Sequence, residues 1–210
     1  MKRGITAFLL VALGFGVAGW IYFNVQPAKE TTAAESATVQ SEPASGDPNV
    51  HGFFDVDYAQ KLIVHHQQAL AMIDIILADT ADSNVRDVAN SLRESQAAAE
   101  SKYVSWMNQW DEPYTDLAEF PQMDGHDMYP SYPGLVSAQD MSALASASGP
   151  QADALFTELM IEHHRGGKQL SRMSNKLQFG QLIEYKNDVF AEYDDHILRL
   201  ETLRTKEGAA

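Results

Sequence analysis

The run DYAQKLIVHHQQALAM at residues 57–72 returns 98 residues later, altered, inside ALFTELMIEHHRGGKQL at 154–170. Asp55, Ile63, His65 and His66 recur as Asp153, Ile161, His163 and His164, while Tyr58 and Leu62 become Phe156 and Met160. In the first copy Tyr58, Leu62, His65, Ala69, Met72 and Ile76 follow alternating spacings of four and three. Ala59, Ile63, His66, Leu70, Ile73 and Leu77 do the same one position on. Two neighbouring stripes of this period describe one helix with a wide buried face, and each stripe carries one histidine of the pair. A chain that repeats such a helix must bury both copies.

The same period continues elsewhere. Ala89, Leu92, Gln96, Ala99, Tyr103, Trp106 and Trp110 predict a second helix over about 85–110. A third, over about 151–176, has the inner stripe Asp153, Phe156, Met160, His163, Gly167 and Leu170. A fourth, over about 180–206, carries Val189, Tyr193, His196, Leu200 and Leu203. Between the helical hairpins, at 53–110 and 151–206, the segment 111–150 holds a long proline-bearing surface loop. A short helix follows, opened by Ser137 with Asp140 and ending near Gly149–Pro150. No segment shows strand periodicity. The expected fold is all-α: a four-helix bundle of two similar hairpins with one long crossover.

The N-terminus bears on the compartment. Lys2 and Arg3 precede an apolar stretch from about Ile5 to Val25, with Trp20, Tyr22 and Phe23 near its far end. Its length is close to the ~20 residues that span a bilayer. The basic residues would stay inside and the aromatics would lie at the outer interface. The expectation for 1–25 is an uncleaved signal anchor, with a cleaved signal peptide as the alternative. Residues 26–50, rich in Ala, Ser, Thr, Glu and Pro, read as a flexible linker, and the folded domain is expected over 51–210. Either N-terminus exports the domain. It is held at the inner or cytoplasmic membrane through residues 5–25 alone, facing the periplasm or the cell exterior, or is soluble in the periplasm if cleaved.

A net charge of −14 argues against nucleic acid and anionic headgroups as partners and suits a protein that attracts cations. With no cysteine there is neither a disulfide nor a thiolate metal site, so a metal must be held by His, Met, carboxylate or backbone. Four of the seven histidines form the two adjacent pairs. A single buried pair is ordinarily a satisfied core feature. Matched pairs on two hairpins point instead to a metal site, because bundle interiors are where facing helices assemble such sites. Met160 lies one turn before His163 and His164 and shares their patch. Met72 lies two turns beyond His65, ~10 Å along the axis, and needs a further ligand from another helix. In the loop, MDGHDM places Met123, His126 and Met128 within six residues. Thioether sulfur favours copper(I), with silver(I) as its mimic, over zinc or iron.

The repeated pattern D-x-x-Y/F-x(6)-H-H, in FFDVDYAQKLIVHHQQALAM and QADALFTELMIEHHRGGKQL, resembles the signature of the family called "domain of unknown function 305". PGLVSAQDMSAL and ESQAAAESKYVSWMNQW add to the likeness, which covers roughly residues 51–205. The resemblance implies a ferritin-like helical bundle, commonly exported, with some members binding copper in the periplasm through His and Met. It points to His65, His66, Met72, His163 and His164.

Enzyme readings find less support. No Glu has a His three residues on, as a ferritin-type di-iron site requires. There is also no Gly-x-Ser-x-Gly elbow and no phosphate-binding glycine loop. Asp55 and Asp153 read most simply as first-turn carboxylates favoured by the helix dipole. The functional expectation is an exported copper-binding protein that sequesters copper or passes it to another copper-handling protein, without catalysis. The alternative is a helical interaction module with structural buried histidines, and a metal-dependent enzyme comes third.

Overall fold

The computed structural model describes residues 50–119 and 132–207. Five helices occupy them: α1 (Phe53–Asp79), α2 (Ser83–Gln109), α3 (Ala138–Ser146), α4 (Pro150–Met173) and α5 (Gly180–Glu207). Among the described residues there is no strand, and no helix is long and apolar enough to cross a membrane. The expected anchor at 1–25, nearly all of the linker at 26–50 and the loop motif at 123–128 lie outside the described residues.

The first four helices start where their local chemistry dictates. The Asp55 carboxylate accepts the Gly52 N–H at 2.8 Å before α1. Asp82 Oδ1 accepts from Asn84 and Val85 N–H at the start of α2, and Ser137 Oγ accepts the Asp140 N–H at the start of α3. Pro150 opens α4, where its missing N–H costs nothing. The Gly149 N–H just before it donates to Asp79 at 2.7 Å, so the end of α1 holds the start of α4.

A three-residue connection makes α1 and α2 an antiparallel hairpin, and α4 and α5 make a second. Helix α1 packs on α4 and α2 on α5, while α3 covers α1 and α4. The core has two apolar clusters. One gathers Met72, Ile76, Leu92, Leu144, Phe156, Met160 and Leu200. The other gathers Tyr58, Leu62, Tyr103, Trp106, Leu170, Phe179 and Leu182. Along α1 the second cluster comes first, and along α4 the order is reversed, so the two histidine-bearing helices run antiparallel. Both histidine pairs fall between the clusters, in a buried polar layer.

The long connection between hairpins is held at both of its described ends, where the sequence suggested only a surface loop. Gln60, Gln67 and Gln68 of α1 turn their amides onto loop backbone. Gln68 donates to the Val136 carbonyl at 2.9 Å and accepts its N–H at 2.7 Å. Gln60 makes the same two-way bond with Thr115, and Gln67 accepts the Leu117 N–H. A side-chain amide carries both donor and acceptor, so it can pair with a peptide group as a strand would.

Candidate metal centre

The histidines converge on one layer rather than forming two separate pairs. His65 and His163 stack with ring centroids 3.7 Å apart, and His66 and His164 flank them at 6.2 and 6.1 Å from their chain neighbours. This approach depends on two glycines. A Cβ on Gly167 would lie 2.6 Å from the Tyr193 ring and 2.9 Å from His65 Cε1. A Cβ on Gly166 would lie 2.1 Å from Gly134 Cα. Gly134 itself has φ +88° and sits backbone to backbone on α4, which brings its carbonyl within 2.9 Å of His163 Nδ1. The Gly166–Gly167 pair therefore lets a loop and a ring press against α4 from two sides.

The rings differ in what remains free. His65 Nε2 meets the His163 carbonyl at 3.1 Å, and His163 Nε2 meets the His65 carbonyl at 3.0 Å. His163 thus has a carbonyl at each nitrogen, and a neutral ring can donate to only one of them. His65 Nδ1 has no hydrogen-bond partner. His66 Nδ1–H donates to the Leu62 carbonyl one turn back at 2.6 Å, and His164 Nδ1–H donates to the Met160 carbonyl at 2.9 Å. These two equivalent bonds fix the tautomer, leaving the Nε2 lone pair of each ring facing inward. The lone pair of His66 meets the Tyr193 hydroxyl at 3.2 Å. That of His164 meets His196 Nδ1 at 3.1 Å, with Gln96 Nε2 at 3.5 Å.

Burial governs the protonation of all these groups. It pushes His66 down to about 3, partly offset by its bond to Leu62, and His163 down to about 4 against two carbonyl contacts. His65 and His164 lie well below the ordinary histidine value, through burial first and neighbouring histidines next. His196 falls to about 4 by burial, with Asp195 opposing and Arg199 adding to the shift. Tyr193 is held well above the usual phenol value by burial, so it keeps its proton and donates. At neutral pH the five rings are uncharged, the state in which imidazole binds metals.

Of the other expected ligands, Met72 and Met160 are fully buried in the apolar cluster beside the layer. Met123, His126 and Met128 lie outside the described residues. Neither first-turn aspartate bonds a histidine. Asp55 Oδ1 accepts the Gln178 and Phe179 N–H groups at 3.0 and 3.1 Å, and Asp153 Oδ1 has no partner. His196, Tyr193 and Gln96 lie on inner stripes of the sequence but outside its candidate ligand set. The signal was the three-residue spacing of Tyr193 and His196 on the buried face of α5. Among the described residues no group of three or more His, Asp or Glu stands in ready-made metal geometry. A surface recess lined by Phe54, Asp57, Lys61, Leu170 and Met173 includes none of the histidines.

Comparisons with known proteins place these features in a wider set. The crystal structure of a DUF305 "putative secreted protein" from Streptomyces coelicolor is similar over 74% of this chain and 94% of its own, with 25% identity and a TM-score of 0.64. A DUF305 fragment from Deinococcus radiodurans is similar over 74% and 98%, with 18% identity and a TM-score of 0.66. CopM in its Cu(II)-bound form is similar over 72% and 96%, with 18% identity and a TM-score of 0.58. No curated protein matches the chain. Residues 55–204, which span the histidine layer and nearly all of the four long helices that enclose it, match the family described as Domain of unknown function (DUF305), and the chain belongs to that family.

Proposed function

We propose that this chain is an exported, non-catalytic copper-binding protein that sequesters copper or passes it on, through histidines of the bundle and methionines. The observation that carries this reading is the buried layer of neutral imidazoles with acceptors left without donors, His65 Nδ1 and Gln96 Oε1. Buried lone pairs without a donor are costly, and a bound cation meets that need. CopM, which shares the fold, is known with Cu(II) bound. The acidic balance favours cation capture, and the sequence adds Met123, His126 and Met128 as ligands suited to copper(I). Export is supported by the apolar stretch at 5–25 and by the description of the Streptomyces coelicolor relative as secreted.

One observation favours the interaction-module reading. The reciprocal bonds of His65 and His163 to each other's backbone are what a purely structural pair would make. Native mass spectrometry of the full chain, titrated with copper(I) and with copper(II), separates the two. At least one tightly held ion per chain is expected. A chain that stays metal-free at stoichiometric copper would leave the histidines structural.

A further inference from the structure

We infer that His164 Nε2 and His196 Nδ1 form a two-imidazole site for copper(II), with Gln96 as a third donor. The inference rests on the copper-binding reading above but assigns the ion to residues that the histidine-pair motif only half contains. His196 lies on α5, outside the motif, and reaches the α4 pair from the neighbouring helix.

The geometry fits one ion. The two nitrogens are 3.1 Å apart. With metal–nitrogen bonds of about 2.0 Å, that separation subtends about 100° at the metal, near the cis angle of a tetragonal site. A linear two-coordinate copper(I) would need the nitrogens about 4 Å apart at the same bond length. Gln96 is buried, its Nε2 lies 3.5 Å from His164 Nε2, and its Oε1 has no partner. Turning the amide by 180° puts the oxygen, a donor to the ion, where the nitrogen lies. Imidazole nitrogen and amide oxygen are ligands that copper(II) accepts in a tetragonal set, and it outcompetes zinc for them.

Hydrogen bookkeeping allows the exchange without a net proton. Without an ion, His196 Nδ1–H donates to the His164 lone pair. With an ion, that hydrogen resides on His196 Nε2 and is accepted by Ser95 Oγ, 3.2 Å away. The Ser95 hydroxyl is free to accept because its own hydrogen goes to the Leu92 carbonyl at 3.1 Å. The Met160 carbonyl holds His164 Nδ1–H throughout, orienting the ligand as carbonyls do behind metal-bound histidine. The charges nearest His196 on its own helix are Asp195 and Arg199, which form an ion pair at 3.8 Å, and Arg199 donates to Ser91 Oγ of α2 at 2.8 Å. The other half of the repeat offers no such pair. There His66 meets a tyrosine hydroxyl that keeps its proton.

The test is copper(II) titration of the full chain, read by electron paramagnetic resonance and by competition affinity. The chain used has Met123, His126 and Met128 changed to Ala, so that loop copper does not obscure the bundle. One copper(II) per chain with coupling to two nitrogens is expected. His196→Phe should abolish the two-nitrogen pattern and weaken binding at least tenfold, while His51→Ala changes neither. If a circular-dichroism melt shows that His196→Phe does not fold, His196→Asn is judged by the same two readouts. A folded variant with parental spectrum and affinity would overturn the site while leaving the copper reading intact. Absence of copper binding by both this chain and the unaltered one would overturn both.

Discussion

His65 and His163 lie face to face, and each ring's Nε2 meets the backbone carbonyl oxygen of the other residue, at 3.1 and 3.0 Å. The two are equivalent positions of the internal repeat, so the repeat fastens to itself at its most polar point. Ring stacking and two ring-to-backbone contacts join α1 to α4 in the polar layer between the two apolar clusters.

This relationship predicts a division of labour among the histidines. His163→Ala removes the single ring N–H that the His65 and Gly134 carbonyls compete for and opens a void between buried helices. It should cost about 3 kcal/mol in urea unfolding of the metal-free chain. A loss below about 1 kcal/mol would mean that the contacts do not fasten the helices.

Stability should fall on mild acidification, and the sign follows from burial. The five rings titrate lower in the folded chain than in the unfolded one: His66 at about 3, His163 and His196 at about 4, and His65 and His164 well below the ordinary value. The unfolded chain therefore binds more protons below about pH 6.5. Their stabilising contribution is complete above that pH and is lost as pH falls toward the folded values. Between about pH 6.5 and 5, above the ordinary carboxylate range, the melting temperature of the metal-free chain should already decline. A flat profile across that interval would contradict the burial of neutral rings.

Glycine substitutions should separate close packing from mere flexibility. Gly166→Ala would drive a methyl into the Gly134 backbone, 2.1 Å away, and neither side has a flexible group to yield. A loss of at least about 3 kcal/mol or failure to fold is expected. Gly180→Ala has nothing within 4 Å and should be neutral or stabilising by up to about 1 kcal/mol. Equal effects in thermal melts would show that the contact with Gly134 is not what requires glycine.

The two first-turn aspartates should behave unequally despite their equivalence in sequence. Asp55 accepts three backbone N–H groups, from Gly52, Gln178 and Phe179. Asp55→Ala should cost about 2–3 kcal/mol by releasing the α4–α5 connection. Asp153 Oδ1 has no partner, so Asp153→Asn should stay within about 0.5 kcal/mol. Chemical denaturation of both variants checks the contrast.

If copper passes through the loop, the triple change of Met123, His126 and Met128 to Ala should slow copper acquisition more than it lowers capacity. Stopped-flow loading against a chromophoric copper donor measures this. Parental rates in the variant would make the loop ligands incidental.

The helices, their order and their pairing into two hairpins were legible in the chain alone, because period and repeat are local properties. Tyr58 through Ile76 must form a helix with one broad buried face, and a second copy 98 residues on must do the same. Ser137 marks the start of α3 because an N-cap acts only on its own next turn. The histidine pairs were legible as unusual, since two ring nitrogens per residue entering a core require partners. Which partners they find was a matter of tertiary structure. Nothing local makes His65 choose the His163 backbone, gives His66 a tyrosine and His164 a histidine, or turns Gly166 into a seat for Gly134. Those choices depend on the rotation and height at which α1, α4 and α5 pack on one another, and on the loop end that Gln68 of α1 draws inward. Periodicity reveals the buried face of each helix. Only the packing of helix against helix decides which buried lone pairs meet a hydrogen and which meet none.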